Sequence, residues 1–421
     1  MLVEDRDGRL FLDFGMSLSA RSSYFSDPYV SPRSERSLLE LGIVPKLTGF
    51  YRWEKEVQFD CVFLSHAHLD HYGYLSLVSR DIPVYCGETT KIQMEAIAAT
   101  RRGGFESDYE GLRYMTFRTG SSIRVGSITV KPVHVDHSLP GAYGFIVETS
   151  DGAVVYTGDM RAHGRMSSMT ADFAAAAAGA SPQLMLTEGT NIVSGSVSSE
   201  AEVAEKLGSV IGRSRGLVVV SFSTMDTDRL LSFYEAARKN ERKLVLSLRQ
   251  AYMLSRLEGD RGLRLPSIGE EGIAVYRRKK KRYEEWEESV CSRSHVVTAK
   301  EVAGEQDKYV LAAGLSDMEA MLEVRPVEGS VYVLSSSEPF NEEMELDMQR
   351  LVMWLDNLGM PQYHIHVSGH IMPQDLREIL LDVSPKRIVP IHTEHPGLFS
   401  KYVGEGKGIV VPVMGERIEI G

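Results

Sequence analysis

The stretch Phe63-Leu64-Ser65-His66-Ala67-His68-Leu69-Asp70-His71 concentrates three imidazoles and one carboxylate within six residues. An apolar run typical of a buried strand precedes them, and a segment with helical character follows. Histidine and carboxylate side chains are ligands that zinc and similar first-row metals bind in proteins. The pattern therefore predicts a metal site at a strand-to-helix turn, and the alternative is an ordinary polar loop.

The size and charge of the chain limit the kinds of protein it can be. A chain of 421 residues is longer than one hydrophobic core usually supports, so two domains are expected. A net charge of −11 argues against a protein that coats nucleic acid through bulk charge. Any groove for nucleic acid must therefore be a local basic feature.

The cysteines and the first residues indicate the compartment. Cys61, Cys86 and Cys291 are an odd number of widely spaced thiols, which fits a reducing environment and gives no disulfide framework. The segment Met1–Asp7 is charged where a signal peptide needs an apolar core. No stretch approaches the roughly 18 to 20 apolar residues of a membrane span. We predict a cytoplasmic protein that does not span a membrane.

Several apolar runs end in a residue that can bind metal or transfer a proton. Strands that end at one edge of a sheet hold such side chains in rigid positions while their loops converge, as an active site requires. The residues at these strand ends are His66, His137, Asp159, Glu188, His370 and His392. A set of unrelated loops would not repeat this arrangement, so the sequence predicts a single site on a sheet.

Two metal ions need more ligands than the first motif supplies. His66 and His68 can bind one ion. Asp70 and His71 can bind a second ion, which leaves both ions short of ligands. The natural completions are His137, Asp159 and His392. Asp159 is the candidate bridge, because a carboxylate has two oxygens and can reach both ions. Such a pair can activate water near neutral pH and stabilise charge on a phosphoryl oxygen.

The composition changes between residues 194 and 361. Helix-like stretches there alternate with β-rich runs, which predicts a second α/β domain. No ligand-like motif occurs in it, and the candidate ligands resume only after it, at His370 and His392. We therefore interpret it as an insertion, with predicted segments 1–193, 194–361 and 362–421.

The insertion contains one basic block, Tyr276-Arg277-Arg278-Lys279-Lys280-Lys281-Arg282-Tyr283, followed by the acidic run 284–288. One interpretation is a solvated helix whose lysines pair with glutamates at helical spacing. The other is a patch that contacts phosphates. The sequence leaves both open.

The metal-type residues resemble the zinc-binding motifs of the metallo-β-lactamase superfamily. The similarity covers the HxHxDH stretch at 66–71 and the later His137 and Asp159. Asp13, at the end of an early apolar run, resembles the first motif of that family, an acid that supports the metal loop. The resemblance implies an α/β fold in which two sheets pack between helices, an αββα sandwich.

Three further segments are similar to motifs of the β-CASP nucleases within that superfamily. Thr187-Glu188-Gly189-Thr190-Asn191 resembles motif A, Val367-Ser368-Gly369-His370 motif B, and Pro390-Ile391-His392-Thr393-Glu394 motif C. Members of this group carry an α/β domain inserted before motif B, which agrees with the change in composition. The resemblance implies a minimal two-domain form of the group.

The resemblance also implies roles for individual residues, with two zinc ions per chain and manganese as the alternative. One ion would be held by His66, His68, His137 and Asp159. The other would be held by Asp70, His71, Asp159 and His392. His370 would protonate the leaving oxygen while Glu188 orients it or stabilises its charge. Asp70 would count as a catalytic residue as well as a ligand.

The histidine in motif C bears on the substrate. Family members with histidine at the position of His392 mostly act on RNA, whereas the Artemis-type DNA nucleases carry valine there. We therefore expect a zinc-dependent ribonuclease acting on single-stranded RNA as a 5′-to-3′ exonuclease, an endonuclease or both, with a homodimer as one arrangement. The alternatives are a DNA nuclease of the Artemis type, a thioesterase-like metallo-hydrolase, and an RNA-binding protein without catalysis.

Four serines are candidates for contact with the substrate. Their hydroxyls, together with free backbone N–H groups, could hold a phosphate. The alternative is that they cap the helices that follow their strands. The candidates are Ser221, Ser335, Ser336 and Ser337.

Overall fold

The described residues of the computed structural model form three β-sheets, and two of these sheets face each other. The structure describes residues 1–27, 29–101, 103–193, 195, 198–339, 341–404 and 408–420. Ser194, where the predicted insertion begins, and Gly421, where the third segment ends, lie outside the described residues.

The first sheet carries the HxHxDH stretch at the end of its central strand. Its strands are β1 (Leu2–Asp5), β2 (Gly8–Leu12), β3 (Cys61–Leu64), β4 (Val84–Gly87) and β5 (Tyr114–Phe117), in spatial order. β1 is antiparallel to β2, and the other pairs are parallel. The accompanying helices are α1 (Leu18–Ser22), α2 (Glu35–Glu40), α3 (Leu69–Tyr72) and α4 (Glu88–Thr100), with 3-10 turns at Gly73–Leu77 and Phe105–Ser107.

The second sheet begins as an antiparallel meander and then turns parallel. Its first strands are β6 (Ile123–Val125), β7 (Ile128–His134), β8 (Tyr143–Thr149), β9 (Gly152–Tyr156) and β10 (Leu184–Glu188). The pairs from β6 to β9 are antiparallel, whereas β9 and β10 are parallel because helix α5 (Ser167–Gly179) connects them.

The third sheet is entirely parallel and is built from the inserted segment. Its strands are β11 (Val218–Ser221), β12 (Lys243–Leu246), β13 (Ile273–Tyr276), β14 (Val296–Val297), β15 (Tyr309–Ala312), β16 (Val331–Leu334) and β17 (Gln362–His364). Their spatial order is β14-β13-β12-β15-β11-β16-β17. The connecting helices are α6 (Glu200–Arg213), α7 (Thr227–Lys239), α8 (Leu248–Leu257), α9 (Glu285–Arg293), α10 (Ala299–Gly304), α11 (Met318–Val324) and α12 (Glu342–Leu358), with 3-10 turns at Gln306–Lys308 and Leu315–Asp317. Apolar clusters cover both faces, as a parallel sheet requires.

The chain then returns to the second sheet. Helix α13 (Pro373–Val383) leads to strand β18 (Arg387–Ile391), and helix α14 (Leu398–Val403) leads to β19 (Gly408–Ile409). β18 pairs in parallel with β10, so that Ile391 lies beside Glu188. The end of the chain thus delivers motif C to the same sheet edge as motif A.

The first two sheets form a four-layered sandwich. Phe63 of β3 and Phe145 of β8 meet edge to face, 5.7 Å apart, in the core between the sheets. Helix α4 covers the outer face of the first sheet, and α5 and α13 cover that of the second. The predicted α/β fold, an αββα sandwich with an inserted α/β unit, is confirmed.

The structure differs from the sequence-based predictions in two features, the end of the inserted unit and the conformation of the basic block. Strand β17 belongs to the third sheet, so sheet membership extends past residue 361; we propose a division after His364. The basic block is not helical, because residues 277–284 form a loop and α9 begins only at Glu285.

No helix in the described part of the chain is long and apolar enough to cross a membrane.

Candidate metal centre

Three imidazoles and one carboxylate form the first candidate metal site. The Nδ1 of His68 lies 3.0 Å from the Nε2 of His66 and 3.1 Å from the Nε2 of His137. Asp159 completes the group, and one ligand atom from each residue lies within 4.8 Å of the others. Nitrogen atoms that converge in this way, with a carboxylate beside them, are arranged to share one cation.

A second candidate site shares Asp159 with the first. The Nε2 of His71 lies 3.2 Å from the Oδ2 of Asp159, and the Nε2 of His392 lies 2.9 Å from the Oδ2 of Asp70. The ligand atoms of these four residues are also within 4.8 Å of one another. Asp159 therefore stands between two ligand groups, as expected of a bridging carboxylate.

The buried atoms of these groups fit a divalent cation. Within the described part of the chain, neither carboxylate oxygen of Asp159 has a hydrogen-bond partner, and neither does the Nε2 of His71. Burying a carboxylate without hydrogen-bond partners costs free energy, and a cation bound among these ligands would offset that cost. Burial lowers the pKa of His68 to about 4, so this imidazole is neutral and able to bind metal.

Asp13 holds the HxHxDH turn in place. Its carboxylate accepts hydrogen bonds from the backbone N–H of Ser65 at 2.7 Å, from the hydroxyl of Ser65 at 2.6 Å and from the hydroxyl of Tyr156 at 2.6 Å. The Nδ1 of His71 lies 2.7 Å from the same carboxylate, which leaves the Nε2 directed at Asp159. Such partners fix the orientation of a metal-binding imidazole.

The other ligands are oriented in the same manner. The Nδ1 of His137 donates to the carbonyl of Gly369 at 2.6 Å. The Nδ1 of His392 lies 2.7 Å from the hydroxyl of Thr190. In both residues the Nε2 is then the nitrogen that faces the ligand groups. Sequence reasoning did not assign Thr190 a role, although it belongs to the segment that resembles motif A.

His370 and Glu188 form a pair beside Asp159. The Nδ1 of His370 lies 3.1 Å from the Oε2 of Glu188 and 3.7 Å from the Oδ2 of Asp159. Glu188 is fully buried, and its Oε1 accepts the backbone N–H of Met160 at 2.7 Å. Burial lowers the pKa of His370, but the carboxylates of Glu188 and Asp159 outweigh it and raise the pKa to about 9. The imidazole is therefore protonated at neutral pH.

Comparison with known proteins agrees with this geometry. Residues 47–197 match the family described as Beta-lactamase superfamily domain. The chain is 28% identical to Ribonuclease J of Sinorhizobium meliloti and 29% identical to Ribonuclease J of Thermus thermophilus. These alignments cover 81% and 79% of this chain but 59% and 57% of the relatives. Residues 47–197 thus match a beta-lactamase superfamily domain, and the chain is similar to ribonuclease J proteins over most of its length, in agreement with the resemblance of its motifs to those of the β-CASP group.

Two further comparisons extend over nearly the whole chain. Ribonuclease J 2 of Streptococcus pyogenes is 23% identical over 94% of this chain and 68% of its own length. A solved structure of a protein of unknown function from Enterococcus faecalis superimposes with a TM-score of 0.77 at 22% identity, covering 99% of this chain and 95% of that one. The structural match shows that the two chains share one fold over nearly their whole length, and it carries no information on activity.

The β-CASP motif B segment is held by an asparagine that sequence reasoning did not single out. The side-chain amide of Asn191 donates to the hydroxyl of Ser368 at 3.1 Å and to the carbonyls of His370 and Ile371 at 3.0 and 3.2 Å. The sequence predicted His370 at the end of a strand. In the structure it lies in irregular backbone beyond β17 instead. Asn191 therefore does the positioning that a strand would otherwise provide.

A buried ionic cluster joins the metal-ligand loops to the β-CASP insertion. Arg161, two residues after Asp159, is fully buried and bonds Asp136 at 3.3 Å, Glu200 at 3.2 Å and Asp228 at 2.5 Å. Glu200 also bonds Arg229 at 2.8 Å. This cluster could not be predicted from the sequence, because its members are far apart along the chain and only the fold brings them together.

The four candidate serines differ in their surroundings. Ser335 is buried, and its hydroxyl donates to the carbonyl of Ile365 at 2.5 Å and accepts from Arg229. Ser336 and Ser337 follow it along the chain and are more exposed. Ser221 lines a separate cavity beyond the end of β11. Their predicted contact with substrate stays a prediction.

Proposed function

We propose that this chain is a ribonuclease that hydrolyses phosphodiester bonds of single-stranded RNA in RNA processing or decay. The observation that carries the proposal is the pairing of His370 with Glu188 beside Asp159, the carboxylate common to both ligand groups. A proton donor next to a two-metal cluster suits the expulsion of a sugar alkoxide. The names of the curated relatives support the choice of RNA.

We propose two zinc ions as cofactors, with manganese as the alternative. Histidine nitrogen and carboxylate oxygen without thiolate are a suitable ligand set for both metals. When bound, such a pair supplies a nucleophile at neutral pH and stabilises negative charge on the phosphoryl group. The proposed ligands are His66, His68, Asp70, His71, His137, Asp159 and His392.

The roles of the remaining residues follow from their contacts. With its Nδ1 engaged by Glu188, His370 has its Nε2–H left to donate to the leaving oxygen. A positioned proton donor of this kind contributes about 100-fold to 10,000-fold to the rate. Glu188 keeps the imidazole oriented and protonated, and Asp13 fixes the turn that presents the ligands.

The alternative functions, a DNA nuclease and a thioesterase, would require different binding sites for their substrates. His392 at motif C favours RNA over the DNA of Artemis-type enzymes. A small thioester needs no cleft for a polymer, so the inserted unit and the His370–Glu188 pair argue against a thioesterase.

We place the protein in the cytoplasm because Cys61, Cys86 and Cys291 are free, as thiols are in a reducing compartment.

The test uses purified protein loaded with zinc or manganese. Single-stranded RNA labelled at either end and carrying a 5′-monophosphate, triphosphate or hydroxyl is digested beside DNA of the same sequence. We expect cleavage of RNA, with His370→Ala about 100-fold to 10,000-fold slower at unchanged metal content. The matched control is His134→Ala, because His134 bonds Thr119 and is outside the ligand groups.

Each outcome has a defined meaning. Products released one nucleotide at a time from the 5′ end would identify an exonuclease, and internal fragments an endonuclease. Equal or faster cleavage of DNA would overturn the proposal in favour of a DNA nuclease. Hydrolysis of thioesters without cleavage of either nucleic acid would favour the small-molecule hydrolase. Sedimentation of the same sample tests a homodimer.

A further inference from the structure

A large cavity lies at the carboxyl edge of the third sheet, away from the ligand groups. Its volume is about 1040 Å³, and its walls include the ends of β11, β12, β13 and β15. The chain leaves β11 towards β12 on one side and leaves β15 towards β16 on the other. Ligands of open parallel sheets bind outside the carboxyl ends of the strands, which is where this cavity lies. We call this cavity the sheet-edge pocket.

The sheet-edge pocket is lined by cations that the protein does not neutralise. Four of them, in the described part of the chain, have neither an ion pair nor a side-chain hydrogen bond. These are Arg101, Arg249, Lys279 and Arg282. Lys280 is engaged by Glu287, and Asp317 accepts the backbone N–H of Gly314 at 3.1 Å. In a chain with a net charge of −11, such a group of free cations is a local anion-binding feature.

The same pocket carries aromatic rings and hydroxyls. Tyr276 and Trp286 line it, and the indole of Trp286 packs against Tyr252 with ring centroids 5.4 Å apart. Ser221 contributes a hydroxyl at the end of β11, whereas the hydroxyl of Ser247 caps helix α8 through Gln250. Aromatic faces beside cations are the combination that binds unpaired nucleotides, because every base can stack while its phosphate meets a positive charge.

A second cavity of about 340 Å³ joins this pocket to the candidate metal centre. Thr100, Arg101, Thr224 and Arg249 line both cavities, and His68 lines the smaller one. Arg249 therefore stands at the junction. A nucleotide in the sheet-edge pocket would therefore lie beside a second cavity that reaches His68 of the candidate metal centre.

We propose that the sheet-edge pocket binds a nucleoside phosphate, with the base between Tyr276 and Trp286 and the phosphate at Arg249 and Arg282. The nucleotide belongs either to a single strand or to the pool of free mononucleotides, and the chemistry of the pocket is common to both. This binding goes beyond the proposed cleavage, because it requires no metal and no bond to break.

The test measures binding in EDTA, so that cleavage does not enter. The probes are adenosine 5′-monophosphate and a ten-nucleotide single-stranded RNA. We expect the double variant Arg249→Ala/Arg282→Ala to bind at least one probe tenfold or more weakly than wild type. For RNA, the slope of log K against log salt falls by about 1.4, since two phosphate contacts are lost.

The matched control removes two cations from the opposite edge of the same sheet. Arg213 is the last residue of α6, and Lys239 is the last residue of α7. Both side chains are exposed, and they lie near the amino ends of β11 and β12, respectively. The control Arg213→Ala/Lys239→Ala should bind both probes as wild type does. A second readout is the tryptophan fluorescence, which the stacked base should quench in wild type and not in Trp286→Phe.

The outcomes separate the two sources and the two proposals. Weakened binding of the mononucleotide identifies a free nucleotide as the ligand, and weakened binding of RNA alone identifies a strand; both support the pocket. Equal affinities of the pocket variant and the control variant for both probes overturn it. A protein that binds in EDTA but cuts no RNA with metal would refute the proposed ribonuclease and leave the pocket standing.

Discussion

The proton on His370 depends on two buried carboxylates, those of Glu188 and Asp159. Burial disfavours the imidazolium, whereas the carboxylates of Glu188 and Asp159 favour it and bring its pKa to about 9. A reaction that needs this proton is therefore expected to slow as the pH rises through about 9. The conservative replacement Glu188→Gln removes one of the two charges and should move this alkaline limb to lower pH.

This shift is measured from kcat against pH for wild type, Glu188→Gln and a control. Glu148→Gln serves as the control, because Glu148 is half-exposed on β8 in an ion pair with Lys131. We expect Glu148→Gln to follow wild type. An unchanged alkaline limb in Glu188→Gln would mean that His370 is not the group whose proton is lost.

His366 should make the folded state sensitive to acid. Burial and the adjacent charge of Arg229 lower its pKa from 6.5 to about 3. Below pH 6.5 the unfolded chain gains a proton at this residue and the folded chain does not, so stability present above pH 6.5 is lost as the pH falls. Between pH 7.5 and 5 this group should cost about 1–2 kcal/mol of unfolding free energy.

Urea unfolding at these two pH values tests the effect. His366→Asn keeps an acceptor for Arg229, which lies 3.3 Å from the Nδ1 of His366, but cannot titrate. Its loss of stability on acidification should be smaller than that of wild type by the same amount. Identical losses would show that His366 is accessible enough to titrate normally.

From the sequence we predicted the candidate ligands and, through the family resemblance, the supporting Asp13 and Glu188. The other residues that orient them were not predicted. HxHxDH spacing and the strand-end positions of His137, Asp159 and His392 were enough to propose two metals. The hydroxyl of Tyr156 on Asp13 and the amide of Asn191 on motif B depend on how distant segments pack. A tyrosine in a buried strand has no spacing that distinguishes it from an ordinary core residue.

At the scale of elements, the turn after β2 is packed against the turn after β3. The backbone N–H of Phe14 donates to the carbonyl of His71 at 2.9 Å, and that of Met16 donates to Leu69 at 3.1 Å. A Cβ on Gly15 would lie 1.5 Å from the backbone oxygen of Asp70. Only glycine permits this approach, so Gly15→Ala must separate the two turns.

We expect Gly15→Ala to bind less metal per chain and to unfold at lower temperature than wild type. The control is Gly179→Ala at the end of α5, where a Cβ would meet nothing within 4 Å. Metal content and thermal unfolding of both variants are the measurements. If Gly15→Ala retained its metal, the Asp13 turn would not be needed to hold the ligands.

The basic block shows why element boundaries were harder to predict. A solvated helix is one of the two interpretations that the sequence leaves open for this block, because lysine and glutamate occur there at helical spacing. In the structure, Arg277 lies over the ring of Tyr283 at 4.2 Å, and the hydroxyl of Tyr283 donates to the carbonyl of Arg278 at 2.8 Å. These contacts fold the block into a loop. Some ion pairs between the basic block and the glutamates that follow it still form, since Arg277 lies 3.1 Å from Glu288.

At the scale of the whole molecule, Arg229 connects the insertion to the segment that precedes His370. It is fully buried, bonds Glu200, and donates to the carbonyl of Val367 at 3.4 Å. Removing one partner of a buried ion pair leaves an uncompensated charge and typically costs 3–5 kcal/mol. Arg229→Met should therefore lower the free energy of unfolding by about that amount.

Denaturant unfolding measures this loss, and cleavage of RNA by the folded fraction measures its effect on His370. The control is Arg238→Met, because the side chain of Arg238 is 60% exposed. We expect a change within about 0.5 kcal/mol for the control. Equal stability of the two variants would show that methionine repacks the space and that the remaining ion pair with Arg161 is enough to stabilise Glu200.

The ion pair between Asp70 and His392 spans 322 positions of the chain. During synthesis, the ribosome has released the HxHxDH turn long before it reaches His370 and His392. A nascent chain therefore holds most of the ligands but neither the proton donor nor the last ligand. If the protein cuts RNA as proposed, it stays inactive towards the message that encodes it until His392 has been translated.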